Sequence, residues 1–439
     1  MNKLRTIAGI FFFLSWAVTS LFAVPRFSRQ TGLGCSTCHS NPPELTAFGR
    51  DFKLKGYLLT EDAKGDALEN KHLWLSRYVP LSAMIQISDT TVQSKQPGTQ
   101  NNTAEFPQQL SIFVAGKFAP HFGGLAQITY SHASDHFSMD NTDLRFANQR
   151  KLSGKEWDYG ITLNNNPTVE DPWNSTPAWG FPWVSSDSAP SPIASPVING
   201  GLAQDVAGLG VYSMWNRHLY TNVSIYRSDH AGASTPVTGS GQPFNVNGVA
   251  PYWRAAWQQT WGHNYLELGT YGIYLQSFPG AVSGPSDRYV DPSVDFQYEH
   301  PFGKNLLDIH GAYTYEKSAL NATYAAGGSM TPNIHLHGVK ADTTFHWGSK
   351  YAATGAYFST TGTADSLLYA PAVVTGSNNG SPNSSGYVSQ LSYWPVQNFD
   401  LSVGYTGYLK FNGASDNYDG AGRNASGNNS LYITLWLIL

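Results

Sequence analysis

From Leu81 to Leu439 the chain repeats one pattern: about a dozen residues in which apolar and polar side chains alternate, then a turn or a loop. EWDYGITLN puts Trp157, Tyr159, Ile161 and Leu163 on one parity and Asp158, Gly160, Thr162 and Asn164 on the other. LLDIHGAYTYE separates Leu307, Ile309, Tyr313 and Tyr315 from Asp308, His310, Thr314 and Glu316. FDLSVGYTGYLKF sets Leu401, Val403, Tyr405, Leu409 and Phe411 against Ser402, Gly404, Thr406, Tyr408 and Lys410. The final LYITLWLIL opposes Leu431, Ile433, Leu435, Leu437 and Leu439 to Tyr432, Thr434 and Trp436. Successive side chains of a strand point to opposite faces, so each segment reads as a strand with one apolar and one polar face.

Sixteen such segments begin near residues 81, 107, 125, 141, 155, 204, 219, 250, 263, 288, 304, 334, 350, 385, 398 and 429; the one at 334–347 alternates poorly. Their connections differ in length. Short turns fall at NRH, WGHN, HPFGKN, HWGSK and WPVQN, and long Gly/Ser/Asn/Pro loops at 166–203, 230–249, 318–333, 362–384 and 412–428. This predicts an all-β fold: an antiparallel transmembrane barrel of about sixteen strands, as in the bacterial outer membrane, with short turns on the periplasmic side. A soluble sandwich or β-helix also alternates, but the loop asymmetry, the strand length and the amphipathic final strand argue against both. An even strand number puts both barrel ends in the periplasm. Sixteen strands also enclose a lumen that wall side chains alone do not fill. The chain ends on Leu439, where barrels of this kind usually end on an aromatic residue.

Composition agrees. Charged residues are 13% and aromatics 14%, and a net charge of -4 offers no basic surface, which excludes nucleic acid as a partner. The opening MNKLRTIAGIFFFLSWAVTSLFA carries Lys3 and Arg5, an apolar run from Ile7 to Trp16 and a small residue at Ala23. It reads as a secretory leader over 1–23, cut after Ala23, with a membrane anchor as the other reading. No later stretch has the apolar length of a spanning helix.

Both cysteines of the chain fall in one pentapeptide, Cys35-Ser36-Thr37-Cys38-His39. A disulfide between them would close a very small loop and stabilise little. A thioredoxin-like redox pair needs a βαβ context that this chain lacks. The third reading uses all five residues. The two thiols add to the vinyl groups of one c-type haem, and His39 supplies an axial ligand to its iron. The segment 24–80 is too short to bury a haem unaided. PELTAFGRDFKLKGYLL offers Leu45, Phe48, Phe52, Leu54 and Tyr57 for one face of the ring, so the remaining walls must come from the barrel at 81–439.

FSRQTGLGCSTCHSNPPELTAFGRDFKLKGY, followed by PLSAMIQ and a porin-like remainder, resembles the fused monohaem cytochrome–porins of the bacterial outer membrane, whose members include iron-oxidising outer-membrane cytochromes. The specific part of the resemblance is residues 27–57, with a weaker echo in NNNPTVEDPWNSTPAWGFPW. It implies an electron conduit from an extracellular donor, Fe(II) or another reduced species, through one haem to a periplasmic c-type cytochrome. Such a protein would act as an Fe(II):cytochrome c oxidoreductase in the outer-membrane lipid.

Two residues qualify as the second axial ligand. Met84 shares a parity with Ser82, Gln86 and Ser88 and so faces the polar lumen; His72 in NKHLWLSRY is the alternative. Arg50, Lys53 and Lys55 are candidates to pair with the haem propionates, or form a solvated cluster. The other histidines show no metal-ligand spacing, and His335 and His337 share one strand face. The loop DPWNSTPAWGFPW, with Trp173, Trp179 and Trp183, reads as a constriction at the pore mouth or as an ordinary packed loop. Two rival functions remain open: a porin with a structural or sensory haem plug, and a haem catalyst with an open iron position.

Overall fold

The computed structural model describes residues 26–40, 42–59, 67–70, 73–76, 79–229 and 245–439. The expected leader and His72 lie outside the described residues. A short hairpin, β1 (Ala67–Asn70) and β2 (Leu73–Ser76), precedes the first strand expected from the sequence.

Sixteen long strands then form one closed sheet. They are β3 (Leu81–Val92), β4 (Asn102–Ala119), β5 (Phe122–Ser131), β6 (His136–Leu152), β7 (Lys155–Asn164), β8 (Val206–Trp215) and β9 (Leu219–Ser228), then β11 (Ala250–Trp261), β12 (Asn264–Phe278), β13 (Asp287–Phe302), β14 (Asn305–Ala319), β15 (Asn333–Trp347), β16 (Tyr351–Gly362), β17 (Ser384–Val396), β18 (Phe399–Lys410) and β19 (Ser430–Ile438). The two-residue β10 (Asn245–Val246) adds to the edge of β12. Each long strand pairs antiparallel with the next, and β19 pairs with β3. Closure reaches the last residue, since Leu439 donates to the Ala83 carbonyl at 2.7 Å and Ala83 donates back at 2.8 Å. A closed sheet leaves no edge and no unpaired backbone, which is what a strand structure needs in order to cross lipid.

The two parities separate as the alternation predicts. In β8, Gly208, Gly210, Tyr212 and Met214 are buried, whereas Leu209 is 50% and Val211 59% exposed. Val223 and Ile225 of β9, Leu268 of β12, Leu391 of β17 and Val403 of β18 continue the exposed apolar band. An apolar surface that encircles the molecule is favourable only against lipid. At the short-turn end the band is bordered by exposed Trp261, Phe302, Trp347, Tyr351 and Tyr393, with Tyr351 stacked on Tyr393 at 4.9 Å. Amphipathic rings in this position mark the membrane interface.

Three details differ from the sequence expectation. β4, β5 and β6 start three to five residues earlier than the alternation indicates, at Asn102, Phe122 and His136. β15 is a regular fifteen-residue strand despite its poor alternation. Its inward Ile334 and Leu336 are apolar because they meet packed protein rather than water, Leu336 clustering with Ala194 and Tyr369. Phe411 does not face lipid: it lies beyond the end of β18 and is fully buried with Tyr418 and Ala425 under the loop that follows.

Candidate functional site in the barrel lumen

The N-terminal segment lies inside the barrel. Helix α1 (Arg26–Thr31) is tied to the start of β3 by the Arg26 amide, which donates to Ser82 Oγ at 2.6 Å. A single helical turn, α2 (Cys35–Cys38), follows, and Ser36 donates to Gln397 in the short turn between β17 and β18. Helix α3 (Ala47–Leu54) is capped by Thr46, whose hydroxyl accepts from the Gly49 amide and donates to the Thr37 carbonyl at 2.6 Å. That pair of bonds clamps α3 onto the cysteine turn. The fit requires Gly49, because a Cβ there would overlap the Cys38 carbonyl oxygen. Gly49→Ala is expected to cost about 1–3 kcal/mol of local packing. It should loosen the segment from the barrel, read as faster limited proteolysis within residues 26–57, while heat-modifiable gel migration of the barrel persists.

α3 is then fixed to the wall. Arg50 pairs with Glu299 of β13, donates to the Leu45 carbonyl at 2.8 Å and stacks on Tyr265. Lys53 Nζ donates to the Val169 and Asp171 carbonyls at 2.8 and 2.6 Å. Burial, with Arg145 adding, pushes the Lys53 ammonium down to about 7. Tyr212 donates to the Leu54 carbonyl, and Tyr57 donates to Asp143 at 2.6 Å. The long loop 165–205 does not arch over the mouth. It folds into the lumen, where Trp173 bonds Tyr265, Ser175 donates to Asp295, and the Val197 and Ile198 amides donate to Glu316 and Asp291. Plug and loop together occupy part of the space that sixteen strands enclose. DPWNSTPAWGFPW is thus a packed loop, but one packed within the pore.

The predicted site residues divide accordingly. Cys35 and Cys38 are free thiols, both half-buried, on one helical turn. Burial raises both, and the neighbouring Cys35 adds to the rise of Cys38 to about 11. A redox pair of the thioredoxin kind requires a depressed thiol, so this environment does not match that reading. His39 follows the turn and its Nδ1 lies 3.1 Å from the Glu44 carbonyl and 3.3 Å from that of Pro43. A carbonyl only accepts, so Nδ1 carries the proton and Nε2 keeps its lone pair. That is the arrangement of a ring held ready for a metal. The donor set therefore fits a c-type haem: two thiols i, i+3 and an imidazole of fixed tautomer.

Met84 faces the lumen and is 4% exposed, two residues from the Ser82 that anchors α1. Arg50 and Lys53 are buried and turned to the barrel wall and to the folded-in loop, where protein groups already occupy their donors; Lys55 pairs with Asp51 at 2.7 Å. Of the apolar residues expected to face the ring, Phe52 and Tyr57 instead cluster with Phe27, and Leu54 packs with Trp173, Tyr212 and Tyr220. Phe27, Phe52 and Tyr57 build the plug's own core, and Leu54 seats it against the loop and the wall. Phe48 remains 37% exposed.

One grouping has no counterpart in the sequence reading, which found no metal-ligand spacing among the histidines. Glu44 of the plug meets Asp308 and His310 of β14 and His346 of β15. The only sequence signal is the i, i+2 spacing of Asp308 and His310, which puts both on one face. The neighbouring strand and the plug contribute through register and docking.

Closed barrel and lipid-facing band define a porin-like β-barrel protein of the bacterial outer membrane, with part of its own chain docked inside it. No family model and no curated protein matches the sequence. Among solved structures the chain is similar to the trimer form of OmpT from Vibrio cholerae (8% identity, TM-score 0.46, 82% of this chain and 98% of that one). It is also similar to the outer-membrane channel DcaP of Acinetobacter baumannii (13%, 0.46, 87% and 100%) and to OmpF of Salmonella typhi (10%, 0.46, 85% and 100%). At these identities no residue role, solute or assembly state is carried over.

Proposed function

We propose that the protein is an outer-membrane electron conduit, with both barrel ends in the periplasm. Cys35 and Cys38 would hold one c-type haem covalently, and His39 Nε2 would ligate its iron. The overall reaction is one-electron: one extracellular Fe(II) becomes Fe(III) and one periplasmic c-type cytochrome is reduced. Bound there, the haem would supply the one-electron couple between them. The protein's part is to hold and orient. The Pro43 and Glu44 carbonyls fix the His39 ring, Thr46 and Gly49 fix the turn that carries the thiols, and the wall excludes water from the segment's buried side.

The observation that carries this reading is the Cys-x-x-Cys-His turn, with His39 Nδ1 committed to a carbonyl, docked inside a membrane barrel. The plug and the folded-in loop narrow the lumen, which supports a conduit over the rival porin with a haem plug. Liposomes that enclose cytochrome c and carry the protein in their membrane test both. External Fe(II) should reduce the trapped cytochrome while a small trapped dye stays inside; leakage of the dye without reduction would establish the porin instead.

Met84 is the proposed second axial ligand, because it places a thioether on the lumenal face near the plug's anchor. Met84→Ala should convert the low-spin spectrum to high-spin and lower the midpoint potential, since Met ligation raises it. An unchanged spectrum and potential would remove Met84 from the site.

A further inference from the structure

Glu44 lies in the turn between α2 and α3 and reaches the inner face of β14 and β15. One ligand atom from each of Glu44, Asp308 and His310 falls within 4.8 Å of the others. The three residues are 0%, 1% and 3% exposed, and His346, at 2%, brings Nε2 to 3.2 Å from Glu44 Oε2. This is the interior of the lumen, not a solvated acidic patch.

Three features mark a ligand set rather than a closed hydrogen-bond network. Glu44 Oε1 and His310 Nε2 are buried without a hydrogen-bond partner, although buried polar atoms are normally satisfied. Asp342 lies directly opposite His310 in the β14–β15 register and accepts from its Nδ1 at 2.9 Å. That bond leaves His310 Nε2 facing Asp308 at 3.5 Å. Gln297 of β13 donates to Asp308 at 3.1 Å and holds that carboxylate in place. Histidine backed by carboxylate, and carboxylate backed by amide, is the outer shell that metal ligands characteristically have.

Charge points the same way. Arg50 is committed to Glu299, and Lys340 faces Asp342. Glu44 and Asp308 are two buried carboxylates that face the imidazoles of His346 and His310 rather than an arginine or lysine, and a dication held by the group offsets both. We propose that Glu44, Asp308 and His310, with His346 in reach, bind one divalent first-row transition-metal ion of the class of Zn(II), Mn(II) or Fe(II). Mixed imidazole and carboxylate ligands suit such ions. With metal–ligand bonds of about 2.1 Å, tetrahedral ligand atoms stand about 3.4 Å apart, so a set that spans up to 4.8 Å closes by about 1.4 Å at most on binding. No ligand is shared with Cys35, Cys38 or His39, and the site does not depend on the haem reading.

The test uses full-length protein in detergent, stripped with chelator, dialysed against zinc chloride and measured for zinc per chain. Covalent haem is measured on the same samples, and heat-modifiable gel migration verifies the folded barrel. The expected result is one tightly held zinc ion that is lost in His310→Ala, in Asp308→Asn and in Glu44→Gln, the last of which leaves every barrel strand intact. The double variant His335→Ala/His337→Ala, which removes the exposed pair near the long-loop end, should keep it. Zinc uptake equal in wild type and Glu44→Gln would overturn the site, as would loss confined to the His335/His337 variant. Haem content that stays constant while zinc falls separates this outcome from any failure of the conduit reading.

Discussion

Replacing Cys35 and Cys38 together by serine is expected to leave a folded barrel that carries no covalent haem. Serine has the shape of cysteine, but its hydroxyl does not form the thioether. The half-buried turn it sits on is held by the bonds of Thr46 and Ser36 rather than by the thiols. The band that stains for peroxidase activity after denaturing electrophoresis should vanish, and Fe(II)-driven reduction of trapped cytochrome should fall to the rate of protein-free liposomes. Heat-modifiable migration of the barrel should persist. A stained band that survives the double substitution, or a wild-type chain that never shows one, defeats the conduit reading.

Arg254→Met is expected to have the second large effect, on stability and on the pore. Arg254 of β11 is fully buried and meets three carboxylates: Asp171 at 2.6 Å, Asp295 at 2.9 Å and Glu267 at 3.2 Å. Its guanidinium also stands over the Trp173 and Tyr271 rings. Asp171 belongs to the folded-in loop and the other two to the wall, so one side chain ties loop to barrel. Removing the cation leaves its carboxylates buried and uncompensated, which costs about 3–5 kcal/mol. Loop 165–205 is held by Asp295, Glu316, Asp291 and Arg145 as well, but Arg254 is the cation that neutralises its Asp171, and Lys53 of the plug depends on the Val169 and Asp171 carbonyls. The variant should melt at lower temperature. In planar bilayers it should show larger ion-conducting steps than the wild type, whereas equal conductance would mean that the wall holds the loop without Arg254.

Much of the architecture is written in local pattern. Period-two alternation marks the lipid face because every outward position must be apolar, whatever its neighbours. Trp157, Ile161 and Leu163 could therefore be placed outward, and Asp158, Thr162 and Asn164 inward, without knowledge of their partners. The same logic fails where a strand's inner face meets protein instead of water, as at Ile334 and Leu336. It fails again where a strand ends early, as at Phe411.

For the candidate site, the pentapeptide carries its own chemistry, because thiols and imidazole at fixed spacing act within one turn. Chain order likewise set the cysteine-bearing segment ahead of the barrel. What the chain could not state locally is which residues meet across it. Glu44 and His310 are far apart in sequence, and they come together only because β14 and β15 pair in one register and α3 docks on β13 through Arg50 and Glu299. Register shifts of one residue would turn His310 and Asp342 toward lipid, so this grouping belongs to long-range pairing alone. The sequence by itself determined the barrel and the thiol–imidazole turn, since both depend on neighbours along the chain. The tertiary structure decided how the lumen is filled and which charges face one another there, since those depend on neighbours in space.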